Sequence, residues 1–381
     1  MLKRLLLAIC ILLVFACVVQ AAAMRKGPYL FYPGDNTEMT VLWQVDDTAV
    51  CTLEWGLDET YSIGSVESSE YGEDHQHKFT ISGLTPGSKY YYRVILGTEE
   101  HVGTFVAAPE ENAASLKFLA HGDTRTYPED HDRVDAGMAG AFTADPNYQT
   151  LALLTGDWVG SGTSEGDWDE EFFGDEVYSN SLYLQANLPF NGCIGNHEAL
   201  GPTLYDKYWP YPYVDGYYWS FEYGPALFLV IDQYDEKLTK NSSQLAWIEN
   251  QLATTDKEWK FLQFHEPGYS AGGGHRDNTI VQKLIQPLCE QYGVDIVFAG
   301  HNHYYARCEA NGIQHITAGG GGAPLRDPEP DYSEYVVTCR KAHHFCQVEI
   351  DGDELYFEAW DVNEANSVPL IDSFTISHAS P

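Results

Sequence analysis

The chain is poor in positive charge. Its 381 residues contain 21 Lys and Arg against 56 Asp and Glu, which gives a formal net charge of -35 at pH 7. A field of that sign repels polyanions, so duplex nucleic acid and anionic membrane surfaces are excluded as expected partners. Disorder is not implied, because 44% of the residues are hydrophobic and 14% are aromatic. We expect a folded acidic protein whose length suggests two domains.

Closely spaced cysteine pairs and a Walker-type phosphate loop are also missing. The four glycines at 319–322 are followed by no Gly-Lys-Ser or Gly-Lys-Thr, so they predict a close backbone turn. Six cysteines lie beyond residue 23 without the Cys-x-x-Cys spacing of a zinc site. Cys193 and Cys289 stand in apolar surroundings and are predicted core residues. Cys308, Cys339 and Cys346 are close in sequence and predict one late disulfide.

Long apolar runs are absent except at the N-terminus. Lys3 and Arg4 precede an apolar stretch over 5–19, and small residues follow at 21–23. This order is typical of a secretory signal, and the stretch is short of the roughly 20 residues that span a bilayer. We therefore predict a signal at residues 1–23, a secreted or periplasmic protein and no membrane span. A lipid-anchored form at Cys17 is the less favoured alternative.

The segment at residues 24–108 shows only strand patterns. Short β-branched and aromatic runs are separated by Gly, Pro, Asp and Ser, which predicts an all-β sandwich. The phrase at 82–94, SGLTPGSKYYYRV, resembles the corner before a late strand of fibronectin type III domains. Residues 107–111 read as a linker. No catalytic residue types gather here, so we expect a structural role. The predicted strands are Met39–Gln44, Cys51–Trp55, Lys78–Ile81, Tyr90–Leu96 and His101–Val106.

The pattern changes in the segment at residues 115–381. Six apolar runs each end abruptly in a polar cluster, and helical patterns lie between them, notably at 242–253 and 279–292. This alternation predicts an α/β domain with its site at the carboxyl ends of the strands. The six runs are Leu116–Ala120, Leu151–Leu154, Phe190–Ile194, Trp259–Phe264, Val294–Ala299 and Ile313–Thr317.

The polar clusters supply carboxylate, amide and imidazole donors, a set that suits zinc, manganese or iron. Two such ions about 3.5–4 Å apart share a water, lower its pKa toward about 7 and clamp the oxygens of a displacement at phosphorus. The clusters therefore indicate a metallophosphoesterase. The six candidate ligands are Asp123, Asp157, Asn196, His265, His301 and His303.

The ordered motifs Gly-Asp, Gly-Asp, Gly-Asn-His-Glu, His and Gly-His-Asn-His resemble the calcineurin-like metallophosphoesterase superfamily. With the fibronectin-like front segment, the chain is similar to the purple acid phosphatases. The resemblance implies an α/β sandwich of two sheets flanked by helices, and two transition-metal ions of Fe, Zn or Mn. It also implies a bridging Asp157, one ion held by Asp123, Asp157 and His303, and the other by Asp157, Asn196, His265 and His301.

The same resemblance singles out further residues. His197 matches the family residue that contacts the phosphoryl group and protonates the leaving group; alternatively it only holds its loop. His275 follows a glycine-rich loop and is expected to contact the phosphate or leaving group, or else to face solvent.

The chain departs from the family pattern in its first half. Gly160 stands where purple members carry a tyrosine, so we expect no purple colour. Arg125 stands where the wider superfamily has a histidine, which leaves the first ion one ligand short. Water or His131 would complete that ion, although His131 also fits a solvated helix start. Arg125 is expected to clamp the substrate phosphate, or to form an ordinary surface ion pair.

These features predict a phosphoesterase that hydrolyses small phosphate monoesters by attack of a metal-bridging hydroxide. Two alternatives remain: a phosphodiesterase or nucleotide hydrolase with the same site, and a non-catalytic binding protein with a degenerate phosphatase domain. An aromatic-rich stretch at 205–221 is expected to line a seam between domains, or else to stack on an aryl or nucleoside leaving group. The oligomeric state is open.

Overall fold

A computed structural model describes residues 22–174, 177–235, 237–363 and 368–378. The predicted signal at 1–23 lies outside the described residues except for its last two. Within the described ranges, no helix combines the length and the apolar character needed to cross a bilayer.

The N-terminal region is a sandwich of two antiparallel sheets. One sheet has the order β1-β2-β5 and the other β4-β3-β6-β7. All five predicted strands are confirmed, whereas β1 and β4 were missed because Gly-Pro interrupts the first and polar residues dominate the second. The two faces enclose a core that includes Trp43, Leu53 and Phe105. The strands are β1 Met24–Phe31, β2 Glu38–Val45, β3 Cys51–Gly56, β4 Gly64–Ser68, β5 Gln76–Ser82, β6 Lys89–Leu96 and β7 Glu99–Val106.

Two mixed sheets follow, with the orders β10-β9-β8-β18-β19-β20 and β11-β12-β13-β14-β16-β15-β17. The six predicted apolar runs correspond to β8, β9, β10, β13, β14 and β16. The strands are β8 Ser115–His121, β9 Gln149–Leu154, β10 Phe190–Gly192, β11 Trp219–Tyr223, β12 Ala226–Val230, β13 Trp259–Gln263, β14 Ile296–Ala299, β15 Tyr305–Ala310, β16 Ile313–Ala318, β17 Val336–Arg340, β18 His344–Asp351, β19 Glu354–Asp361 and β20 Leu370–Ser377.

The two mixed sheets pack face to face. Phe118 of β8 contacts Phe228, Phe261 and Phe298 of the opposite sheet edge-on, with ring centroids 5.3–5.9 Å apart. Helix α1 packs on the outer side of the first sheet, and α5 and α6 share a core with the second. The predicted sandwich flanked by helices is therefore confirmed. The helices are α1 Pro128–Ala144, α2 Glu165–Asp167, α3 Ser179–Asn187, α4 Tyr205–Tyr208, α5 Ser243–Thr254 and α6 Gln286–Tyr292, with π-helical turns at Trp168–Phe173 and Val281–Ile285.

Strand direction places the site. Strands β8, β9 and β10 run parallel, as do β12, β13, β14 and β16. Their carboxyl ends meet at one edge of the sandwich, where parallel α/β sheets hold ligands. The polar clusters after five of these strands are brought together there.

The seam between the N-terminal sandwich and the rest is aromatic and charged. Tyr29 packs on Trp209 with ring centroids 5.2 Å apart, and Phe31 packs on Tyr211 at 5.0 Å. The buried Lys26 ammonium lies 2.8 Å from the Glu165 carboxylate. These rings of the aromatic-rich stretch are thus seam residues, as the structural interpretation predicted.

The predicted late disulfide is wrong, because the described chain holds six free cysteines. Strand register explains this result: Cys339 pairs with Ala306, Cys308 pairs with Val336, and Cys346 lies on the other mixed sheet. Cys193 and Cys289 are buried core residues, as predicted.

Candidate metal centre

Three of the candidate ligands lie on residues with a strained, left-handed backbone conformation. Asp123, Asp157 and His301 each directly follow a glycine at the end of a strand and have φ values of 58°, 54° and 68°. Non-glycine residues adopt this left-handed conformation at a cost of about 1–3 kcal/mol each, and such residues cluster at functional sites. A Cβ atom at Gly300 would collide with the Asp123 carboxylate, so the adjacent glycine gives room for close approach.

The side chains form two groups with one member in common. The ligand atoms of Asp123, Asp157 and His303 lie within 4.8 Å of one another, and so do those of Asp157, His265 and His301. We call these the first and second half-sites. The Asn196 amide oxygen adjoins the second half-site, 3.1 Å from His265 Nε2. Asp157 therefore stands between two clusters of donors.

The imidazoles are oriented as metal ligands are. His265 Nδ1 donates to the Thr155 carbonyl at 2.8 Å, and His303 Nδ1 donates to the Pro324 carbonyl at 2.8 Å. A carbonyl only accepts, so Nδ1 is the donor of each ring and Nε2 is the atom that faces the half-site, the arrangement typical of metal-ligating histidines. This orientation and the mixed carboxylate, amide and imidazole set fit borderline transition ions.

Two glutamates support the loops from behind. The fully buried Glu198 carboxylate accepts hydrogen bonds from the backbone N–H groups of Asp157 and Gly195, each at 3.0 Å, and of Val159 at 3.2 Å. Glu171 accepts from the Thr126 N–H at 2.9 Å on the side of the first half-site. The motif Gly-Asn-His-Glu contained a signal for Glu198, whereas no sequence motif pointed to Glu171.

Arg125 enters the first half-site. Its Nε lies 3.3 Å from Asp157 Oδ2, and its Nη2 lies 3.2 Å from His303 Nε2. The guanidinium thus bridges two of the three donors. Gly160 has no side chain that could act as a ligand, and Glu171 Oε1 lies 3.0 Å from the point where a Cβ atom would stand.

The remaining candidates, His197 and His275, lie next to the half-sites. His197 Nδ1 donates to the Gly160 carbonyl at 2.5 Å, and its Nε2 is 3.8 Å from Asp157 Oδ2. The His275 ring packs against the His301 ring with centroids 3.8 Å apart and a tilt of 30° between the ring planes. Both histidines are half-buried and adjoin the candidate ligands.

Arg326 was missed by the sequence analysis. Its backbone N–H donates to the His303 carbonyl at 3.0 Å, and its positive charge acts on the His275 and His303 rings. The buried Nε atom has no hydrogen-bond partner among the described residues. The only cue in the sequence was a cation shortly after the glycine run at 319–322.

His131 lies elsewhere. Its Nε2 is 3.2 Å from Asp135 and its Nδ1 donates to the Glu171 carbonyl at 3.2 Å, so both nitrogens have partners outside the first half-site. His131 groups with His121 and Asp135. The expectation that it completes the first half-site is therefore wrong in this structure, because it lies on the inward face of helix α1.

Burial and mutual charge shift the pKa values of the candidate ligand groups. Burial raises the pKa of Asp123 to about 8. Burial also opposes ionisation of Asp157, but the charge and hydrogen bond of His265 hold its pKa below the usual range. Burial would lower the pKa of His265, yet Asp157 raises it to about 10. Burial lowers the pKa of His301 to about 2 and that of His303 to about 3, which keeps both rings neutral.

Comparison with known proteins bears on this centre. A sequence model of the calcineurin-like phosphoesterases matches residues 127–305, and one of the purple acid phosphatase N-terminal domain matches residues 26–112. Purple acid phosphatase 18 of Arabidopsis thaliana is 26% identical over 355 residues, which cover 83% of this chain and 77% of the relative. The chain is homologous to the purple acid phosphatases. That family consists of metallophosphoesterase hydrolases with a dinuclear metal centre.

Other purple acid phosphatases agree with this assignment. The soybean (Glycine max) enzyme is 25% identical over 313 residues, with 70% of this chain and 65% of the relative covered. The structure of purple acid phosphatase PPD1 from yellow lupin (Lupinus luteus) seeds has the same fold, with a TM-score of 0.73 at 19% identity, covering 92% of this chain and 74% of the lupin chain. The chain therefore combines a calcineurin-like phosphoesterase domain with a purple acid phosphatase N-terminal domain.

Proposed function

We propose that this protein hydrolyses small phosphate monoesters at the two half-sites, with one metal ion at each. The observation that carries the proposal is the position of Asp157, whose carboxylate belongs to both groups of ligand atoms. Asp123 and His303 would complete the first half-site, and Asn196, His265 and His301 the second. When bound, two such ions activate a shared water at neutral pH and polarise a phosphoryl oxygen.

His197 is the candidate general acid. Its Nδ1 proton is committed to the Gly160 carbonyl at 2.5 Å. Its Nε2 therefore carries a proton only when the ring is an imidazolium, and that proton lies on the side of Asp157. Transfer of this proton to the departing alkoxide would regenerate the neutral ring.

Arg125, Arg326 and His275 would position the phosphate. Arg125 offers N–H donors beside the first half-site, and the unpartnered Nε of Arg326 lies near His275 and His303. Two guanidinium groups at one site are notable in a chain with a net charge of -35. A monoester dianion carries more charge than a diester anion, so paired cations favour the monoester.

The predicted location, the surface charge and the ligand set each bear on the choice between the candidate functions. The predicted signal at 1–23 supports a secreted or periplasmic location, and the acidic surface supports a small phosphorylated substrate over a polyanion. The retained ligand set speaks against a degenerate binding protein. A diesterase or nucleotide hydrolase with the same site is the competing activity.

The test compares hydrolysis of phenyl phosphate with that of its methyl diester, before and after chelation and after reloading with Zn, Mn or Fe. We expect activity to vanish with the metal and return with it, and the monoester to be hydrolysed faster. Asp157→Asn should abolish both rates, whereas Asp35→Asn, in the N-terminal sandwich, should leave them unchanged. Undiminished hydrolysis by Asp157→Asn would refute the proposal, and a faster diester rate would reassign the substrate.

A further inference from the structure

A third group of metal-binding side chains lies apart from both half-sites. The ligand atoms of His121, His131 and Asp135 lie within 4.8 Å of one another. The three residues are 0%, 2% and 1% exposed, so bulk water does not solvate them. None of the three is shared with the first or second half-site.

Two secondary-structure elements build this group. His121 is the last residue of β8, two positions before Asp123. His131 and Asp135 are four residues apart on helix α1 and therefore lie on the same face of that helix. The group thus joins the helix to the strand end that presents Asp123.

The hydrogen bonds leave the group incomplete. His131 Nδ1 donates to the Glu171 carbonyl at 3.2 Å, so its Nε2 lone pair faces Asp135 Oδ2 at 3.2 Å. Within the described ranges, both ring nitrogens of His121 and the second oxygen of Asp135 lack hydrogen-bond partners. A buried polar atom without a partner costs about 1–3 kcal/mol.

We propose that His121, His131 and Asp135 bind one divalent transition ion of the zinc class. Two imidazoles and a carboxylate are a usual zinc set, and the carbonyl bond of His131 fixes the tautomer that a ligand needs. The fourth position would be occupied by a water or by the nearby Ser181 hydroxyl, which also has no hydrogen-bond partner among the described residues. The ion would use atoms that otherwise have no partner.

Such an ion would be structural. The site is closed to solvent, which distinguishes it from a catalytic zinc with an open position. It would link helix α1 to the end of strand β8, two residues before Asp123, and so stabilise the strained backbone conformation of Asp123. The proposal is independent of the roles given to the two half-sites, because it needs none of their ligands.

Zinc-soaked crystals of the wild-type protein give the direct test. An anomalous difference map at the zinc edge should show a peak enclosed by His121, His131 and Asp135, separate from any peak at the half-sites. Absence of that peak at saturating zinc would overturn the proposal, whatever the half-sites contain. This measurement requires no variant to fold.

Metal content per chain gives the second test. His131→Gln and Asp135→Asn should each lose one equivalent of zinc relative to the wild type after gel filtration. The control His315→Gln changes another buried histidine, which hydrogen-bonds Gln286 at 2.9 Å, and should lose none. Folded His131→Gln and Asp135→Asn proteins that keep the wild-type zinc content would contradict the proposal.

Discussion

The two half-sites share Asp157 but are built differently. In the second, His265 is fixed by the Thr155 carbonyl, Asn196 adds an amide oxygen, and His301 Nδ1 lies 3.2 Å from His265 Nε2. In the first, only Asp123, Asp157 and His303 are grouped, and a guanidinium lies between two of them. The second half-site has a full set of donors, whereas the first has three donors and a competing cation.

If each half-site binds an ion, as proposed, this difference predicts that the first half-site binds its ion more weakly. Arg125 compensates the charge of Asp157 and gives His303 a hydrogen-bond donor. An ion entering the first half-site must displace those contacts, while an ion entering the second displaces none with arginine. We therefore expect the ion at the first half-site to be lost first when metal is limiting.

The largest effect should come from the second half-site. His265→Ala removes a buried ligand, and metal ions supply several kcal/mol of transition-state stabilisation, so kcat for phenyl phosphate should fall on the order of 10³-fold. His303→Ala should reduce kcat less, by about 10–100-fold, because that half-site is the weaker one. Steady-state rates and metal content of both variants make the comparison. Equal losses would contradict the ranking of the half-sites.

A change at Arg125 should act on the first half-site in two opposite ways. Arg125→Ala removes the competing cation, so the weaker ion should be retained about tenfold more tightly against a chelator. The same change removes a phosphate donor, so KM should rise about tenfold, as for loss of a charge-assisted hydrogen bond of about 1.4 kcal/mol.

The control for Arg125→Ala is Arg93→Ala. Arg93 pairs with Glu54 in the N-terminal sandwich, 2.6 Å away, and has no contact with the centre. It should change neither chelator resistance nor KM. Faster loss of metal from Arg125→Ala than from the wild type would show that the guanidinium supports the ion instead of competing with it.

Much of the fold could be predicted because the end of each strand is marked by residues that are adjacent in the sequence. Each apolar run that ends in a polar cluster is visible over fewer than ten residues, and parallel strands bring their carboxyl ends together. Ser242 illustrates the same principle for a helix: its hydroxyl accepts from the Leu245 N–H at 3.3 Å, which begins α5. Such signals need no knowledge of the partner strand.

The rest depended on contacts between distant segments. The Glu171 side chain lies close to Gly160, and the Arg326 charge acts on His275. Neither pair is marked by a motif or by a helix or strand periodicity in the sequence. His131 was expected at the first half-site because it follows Asp123 closely, but helix α1 turns it toward Asp135. The predicted late disulfide failed for the same reason, since strand register decides which cysteines face each other.

The half-sites should also differ in how binding depends on pH. Asp123 has a pKa of about 8 and His265 of about 10, so near pH 7 each holds a proton that an ion must displace. Affinity should therefore rise with pH at both, by about tenfold per unit for each proton released. The rise should stop near pH 8 at the first half-site and continue toward pH 10 at the second.

Proton release during zinc titration, followed in a weakly buffered solution, measures this difference. The wild type should release about two protons per chain at pH 7 when both half-sites fill. His303→Ala, which disables the first half-site, should retain the release that comes from His265. Binding that does not depend on pH between 6 and 7.5 would contradict the protonation states given to Asp123 and His265.

The smallest effect concerns the glutamates behind the half-sites. Glu198 is fully buried and holds three backbone N–H groups, whereas Glu171 is partly exposed and holds the N–H groups of Thr126 and Gly160. Glu198→Gln turns an amide NH₂ toward a buried N–H, which should reduce the free energy of unfolding by about 1–3 kcal/mol. Glu171→Gln should cost less, about 1 kcal/mol, because water reaches its carboxylate. Urea unfolding of the metal-free variants separates the two, and a larger loss for Glu171→Gln would mean that the first half-site is the more rigidly supported one.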